Sequence, residues 1–212
     1  MGKNFALPAC VAVLAVALCG APKAHAAKVQ MPASFDLAQD VRVRIDPQLH
    51  RTHVAGRVGS SQCFSFTLPQ EWRSTTGGLE TRLRSARSGA ELVVSLRSTH
   101  ELRGLPQPDL ASRDAALLQK DYENLLGRPA QSVSLAALAP GATRWSATWI
   151  DAHLPGGPMT VEAFIVPLSD DWVLELSLSN MDVKEEYDAL ARGLLANLRV
   201  QQESGCADHA TF

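Results

Sequence analysis

From residue 41 onward the chain is built on alternation. Residues 41–45 read Val-Arg-Val-Arg-Ile, and a period of two sets all the apolar side chains on one face of a pleated strand. Asp46-Pro47 breaks the pattern, 53–58 resumes it in weaker form, and Gly59-Ser60-Ser61 reads as a turn. Residues 63–68 then place Phe64, Phe66 and Leu68 on one side. Pro69 and Trp72 are expected in a loop closed by Gly77-Gly78. A hairpin follows, with Leu79 and Leu83 facing one way and Glu80, Arg82 and Arg84 the other. Ser88-Gly89 turns it, and Leu92, Val94 and Leu96 repeat the apolar side. Gly104, Pro106 and Pro108 mark a linker, since those prolines cannot sit in a central strand.

At residue 109 the period changes. Asp109 suits a helix cap, and Ala111, Ala115, Leu118, Tyr122 and Leu125 form a stripe at steps of three and four. Gly127 and Pro129 end it. Four strands are expected next, at 131–138, 142–153, 159–168 and 172–179, separated by Pro140-Gly141, Pro155-Gly156-Gly157 and Ser169-Asp170-Asp171. In the last, Trp172, Leu174, Leu176 and Leu178 oppose Glu175, Ser177 and Ser179. A closing helix begins at Asp182, with Glu185 completing a capping box. Its stripe is Val183, Tyr187, Leu190, Leu194 and Leu198, and Asp188 is placed to pair with Arg192.

One-sided strands joined by hairpin-length turns are the habit of antiparallel sheets, and such a face needs apolar cover. The expected fold is therefore α+β: an antiparallel sheet of about six to eight strands covered by two amphipathic helices. It occupies residues 40–200 as one domain, after a flexible leader at 27–39 and before a polar tail at 201–212.

The amino terminus reads differently. Lys3 precedes a 16-residue uncharged run at 6–21, and Ala24-His25-Ala26 offers the small-x-small site of a signal peptidase. The run is shorter than the ~20 residues that span a bilayer as a helix. Residues 1–26 are thus expected to be a cleaved signal peptide, which makes the mature protein periplasmic or secreted, with no transmembrane span. Leu18 stands before Cys19 where lipidation would want a small residue, and no Arg-Arg pair marks a twin-arginine route. Cleavage removes two lysines and no acid, taking the formal charge from −2 to −4. The charges are interspersed, and without a basic stripe a nucleic-acid partner is not expected.

Cleavage also removes Cys10 and Cys19, leaving Cys63 and Cys206. In an oxidising compartment an even pair suggests a disulfide, with two independent thiols as the alternative. The bridge would close a 143-residue loop, worth about 5 kcal/mol in the chain-entropy account.

Candidate chemistry is sparse. Trp145, Trp149, Asp151 and His153 share one strand face by the period of two. If that face is wet they form a binding surface in which Asp151 orients His153. Otherwise the tryptophans pack under a helix and the other two sit at a frayed strand end. His50 and His53 would share a face only on a helix, and zinc would need further ligands. Asp170-Asp171 reads as a turn. Arg82, Arg84, Arg97 and Arg144 either line a polar sheet face or pair across strands with Glu80, Glu91, Glu162 and Glu175. Gly-x-Ser-x-Gly, His-Glu-x-x-His, Walker, dinucleotide and Cys-x-x-Cys patterns are absent from the sequence, and no cofactor or metal is expected.

The segment Phe64-Ser65-Phe66-Thr67-Leu68-Pro69 with Trp72 resembles the opening of PsbP-like and DcrB-like domains. The element order from Cys63 to Val200 is similar too, while the hairpin at 41–58 lies outside the resemblance. It implies a non-enzymatic accessory or docking module and carries over no site residue. The expected function is an exported accessory domain that binds another envelope protein. A small-molecule or lipid carrier, and an envelope hydrolase, are the alternatives.

Overall fold

Alternation at 41–58 folds into two paired strands, β1 (Asp40–Asp46) and β2 (Arg51–Val58). They open a computed structural model that describes residues 40–202, apart from 60–61, 78–79, 139–140, 151–157 and 182. All of these belong to one unit, Leu37–Phe212. The expected signal peptide, the whole leader at 27–39 and Cys206 lie outside the described residues.

After β2 come β3 (Gln62–Pro69), β4 (Trp72–Gly77), β5 (Glu80–Ser85) and β6 (Glu91–Ser98). Helix α1 (Leu110–Leu126) leads to β7 (Ser132–Leu138), β8 (Ala142–Trp149), β9 (Met159–Pro167) and β10 (Trp172–Ser179). Helix α2 (Lys184–Asn197) and β11 (Arg199–Gln202) complete the order. Pairing is antiparallel throughout. The strands do not form the single sheet of six to eight that alternation suggests. They divide into a four-stranded sheet, β1-β2-β3-β11, and a seven-stranded sheet, β4-β5-β6-β10-β9-β8-β7.

The division happens at Pro69-Gln70-Glu71. Gln70 adopts a left-handed φ of 70°, which turns the chain out of one sheet and into the other. Buried Thr52 fastens the corner: its hydroxyl donates to the Gln70 carbonyl (3.0 Å) and accepts from the Trp72 amide (2.8 Å). The Trp72 indole donates back to the Pro69 carbonyl at 2.8 Å. The segment expected to be a loop is therefore a corner, and Trp72 is a buried residue that starts β4.

Two cores result. The first lies between the two sheets and α2, and includes Phe64, Phe66, Leu68, Trp72, Leu92, Leu174, Leu176 and Leu194. Gly56 pairs with Phe64 across β2 and β3. A Cβ there would stand 2.3 Å from the Phe64 ring, so only glycine lets that ring lie flat on the neighbouring strand. The second core lies on the opposite face of the larger sheet beneath α1, with Ala111, Ala115, Leu118, Ile165 and Val173. β10 is accordingly buried on both sides. Leu174, Leu176 and Leu178 serve the first core, and Val173 the second.

The helix ends follow local chemistry. Asp109 accepts from the Ser112 amide at 2.9 Å, and Gly127 closes α1 at φ 68°. Leu125, expected in the α1 stripe, is 78% exposed, and Asp114 takes a buried place instead. α2 starts at Lys184 with no side-chain cap bond, and Asp188 is paired with Lys184 one turn earlier; the expected cap Asp182 lies outside the described residues. Gln201 and Gln202, expected in the tail, pair with β3. Among the described residues no helix is long and apolar enough to cross a membrane.

Candidate functional site

Trp145 and Trp149 point from β8 into the α1 core, 1% and 0% exposed. The Tyr122 ring of α1 lies over both, with centroids 6.0 and 5.9 Å away. The two tryptophans thus occupy the packed position, not a wet face, while Asp151 and His153 lie outside the described residues. His50 sits in the β1–β2 turn, 3.7 Å from Glu71, and His53 on β2 has its Nδ1 3.1 Å from Thr67 Oγ1. Among the described residues no group of three or more His, Cys, Asp or Glu is placed to hold a metal ion. Cys63 is buried on β3, opposite Gln201.

Among the described residues a concavity lies at a split in the seven-stranded sheet. β9 and β10 pair only where 164–167 meets 173–176. Beyond Phe164 and Leu176, β9 stays with β8 as far as Met159↔Trp149, and β10 stays with β6 as far as Ser179↔Glu91. The strands between these ends part into a cleft of about 780 Å³, bordered by α1 through Tyr122 and Leu125 and by α2 through Tyr187.

Charge in this cleft is arranged by register. Arg82 stands opposite Val93 and reaches the diagonal Glu91 (3.2 Å) together with Glu80 (3.1 Å). Arg97 stands opposite Val173 and reaches the diagonal Glu175, 2.5 Å away. Arg144 stands opposite Phe164 and reaches both oxygens of the diagonal Glu162, at 2.6 and 2.7 Å. Diagonal neighbours two residues off register lie within reach of a long arginine. Three of the four arginines named in the sequence, Arg82, Arg97 and Arg144, are thus bound to the four glutamates named with them. The Arg144 guanidinium also lies 5.8 Å over the Tyr187 ring, a cation–π contact.

Arg97 joins more than a pair. Its Nε lies 2.9 Å from Asp114 Oδ1, and its Nη1 lies 3.6 Å from Glu101 and 3.7 Å from Asp121. Asp114 has no exposed side-chain surface. Burial and the facing Glu175 carboxylate push its carboxyl up to about 8 against the opposing pull of Arg97. At neutral pH Asp114 therefore keeps its proton, because burial beside a second carboxylate disfavours its charged form. Glu175 and Arg97 line the cleft, but Asp114 reaches no solvent, so the proton sits behind the wall. The arrangement joins α1 to the sheet through a buried polar contact between Asp114 and Arg97 in place of an apolar one. Burial, then Glu162, likewise raises the Tyr187 phenol.

Sequence reasoning missed Asp114. The signal was present: residues 111, 114, 115 and 118 share one helical face, and an acid inside an apolar stripe requires a buried partner.

The chain matches no protein-family model and no curated protein sequence. In structure it is similar to cyanobacterial PsbP (CyanoP) from Synechocystis sp. PCC 6803, solved in solution. The identity is 10% and the TM-score 0.44, over 81% of this chain and 98% of that one.

Proposed function

We propose that the chain is an exported, non-catalytic accessory domain that binds another envelope protein, with the split between β9 and β10 as its docking cleft. The carrying observation is that the arginines lining this cleft are already committed. Arg82, Arg97 and Arg144 each bind carboxylates of neighbouring strands. The walls are held in fixed positions by those pairs, and Leu125 stands exposed beside them as an apolar anchor. A surface of that kind suits a partner's side chains, with apolar anchors central and paired charges around them. Export is supported by the leader at 1–26, whose charge, length and Ala-x-Ala ending match a secretory signal.

A disulfide between Cys63 and Cys206 belongs to the same reading. β11 holds Gln201 opposite Cys63, and Cys206 follows four residues after β11 ends. Oxidised and reduced protein should differ in mass by two hydrogens and in gel mobility; identical values would remove the bridge.

A photo-crosslinking residue at Leu125 tests the docking cleft, with Leu49 in the β1–β2 turn as an exposed control. In envelope extract, position 125 should give an adduct of one discrete mass and position 49 none. Equal labelling from both, or none from either, contradicts the cleft.

The carrier reading keeps one supporting observation. The cleft volume falls within the roughly 300–1,000 Å³ of small-molecule sites. Tyr122 contacts both buried tryptophans, so a ligand in the cleft would shift their emission. A screen without any shift leaves the protein-binding reading standing.

A further inference from the structure

Strand edges are where sheets recruit other chains, and natural edges carry charge, proline or bulges that prevent it. β7 closes the seven-stranded sheet, and among the described residues nothing pairs with its outer side. Its sequence, Ser-Val-Ser-Leu-Ala-Ala-Leu, contains no charge, proline or glycine. Val133 and Leu135 are 45% and 47% exposed on the side facing α1.

The other edges differ. β4 carries Arg73, and β11 is four residues long. β1 reads Asp-Val-Arg-Val-Arg-Ile-Asp. Laid antiparallel against its own copy about Val43, it would set Asp40 against Asp46 and Arg42 against Arg44, like charge on like charge, which is destabilising. β7 laid against its own copy about Leu135 meets no such penalty: Ser132 opposes Leu138, Val133 opposes Ala137, and Leu135 opposes itself. A twofold axis perpendicular to the sheet keeps the same faces together, so the exposed Val133 and Leu135 of each copy cover those of the other.

We propose that β7 is a self-association edge, through which two copies of this chain pair antiparallel about Leu135 to continue the seven-stranded sheet from one molecule into the next. The backbone ladder supplies the contact, and the absence of charge permits it. Seven paired residues bury less than the ~1,200 Å² of a standard interface. The dimer is therefore weak and appears as concentration rises. This inference is independent of the cleft.

Sedimentation velocity of the purified protein over a concentration series is the first test. The weight-average mass should climb from one chain toward two, and Leu135→Lys should hold it at one chain with an unchanged melting temperature, since Leu135 packs in no core. Register is tested by single cysteines under mild oxidation. Opposed residues of an antiparallel pair stand about 4.5–5.5 Å apart, within the ~4.4–6.8 Å of a disulfide. Leu135→Cys should give a covalent dimer and Ser132→Cys should not. A mass of one chain at all concentrations overturns the proposal. So does a dimer indifferent to Leu135→Lys, or equal crosslinking from both cysteines.

Discussion

Asp114 illustrates how a single residue can set the behaviour of a wall. Its carboxyl ionises near 3.8 in an unfolded chain and at about 8 in the fold, so the folded state holds a proton that the unfolded state releases. The stability it permits is complete below about 4 and declines as pH rises through about 8. The groups facing it are Arg97 on β6, Glu175 on β10, and Glu101 in the segment after β6. Asp114→Asn keeps the neutral shape and cannot ionise. Thermal melts between about pH 5 and pH 9 should show the wild type losing stability and the variant losing less, with the variant the more stable at the alkaline end. Parallel profiles would mean that Asp114 is charged throughout. Gly56→Ala tests the first core at the same scale: the added methyl meets the Phe64 ring, and the cost should be about 1–3 kcal/mol by chemical denaturation.

The elements show what pattern can and cannot disclose. The four strands β7 to β10 lie where alternation and turn residues put them, because hairpins are local and their signals are adjacent in sequence. β8 is the exception in length, ending at Trp149 where 142–153 was expected. The corner after β3 was not legible. Pro69 and Trp72 carry loop chemistry by position, and only the tertiary bonds of Thr52, 18 residues from Gln70, make Trp72 the start of a strand. Thr52→Val removes both bonds while keeping the volume, and should cost about 1–3 kcal/mol in an unfolding titration. A neutral result would show that the corner is held by Trp72 packing alone. Helix α1 teaches the complementary lesson. Periodicity placed its ends well, but it took Leu125 as buried and overlooked Asp114, since an apolar stripe says nothing of an acid that finds its counter-ion 17 residues earlier at Arg97.

Over the whole molecule, the seven-stranded sheet carries a core on each face. That explains why one-sided alternation underestimated the architecture. Glu175 and Ser177 looked like water-facing positions, yet β10 is the central strand and α1 covers its second side. The same position creates the cleft, since β10 follows β6 while β9 follows β8 and the sheet opens between them. The candidate site was legible in its parts, as arginines and glutamates on alternating positions, but not in its assembly, because diagonal pairing depends on register across strands up to 78 residues apart. Trp145 and Trp149 were the most visible residues in the sequence and prove to be the packing beneath Tyr122. Asp151 and His153 lie outside the described residues.

The proposed docking of a partner in the β9–β10 split is tested most directly by hydrogen exchange of the domain with and without the captured envelope protein. Added protection should gather on the strand ends at 159–163 and 177–179 and on α1 around Tyr122. Protection confined to β1, β2, β3 and β11, with the split exchanging as fast as in the free protein, would contradict it.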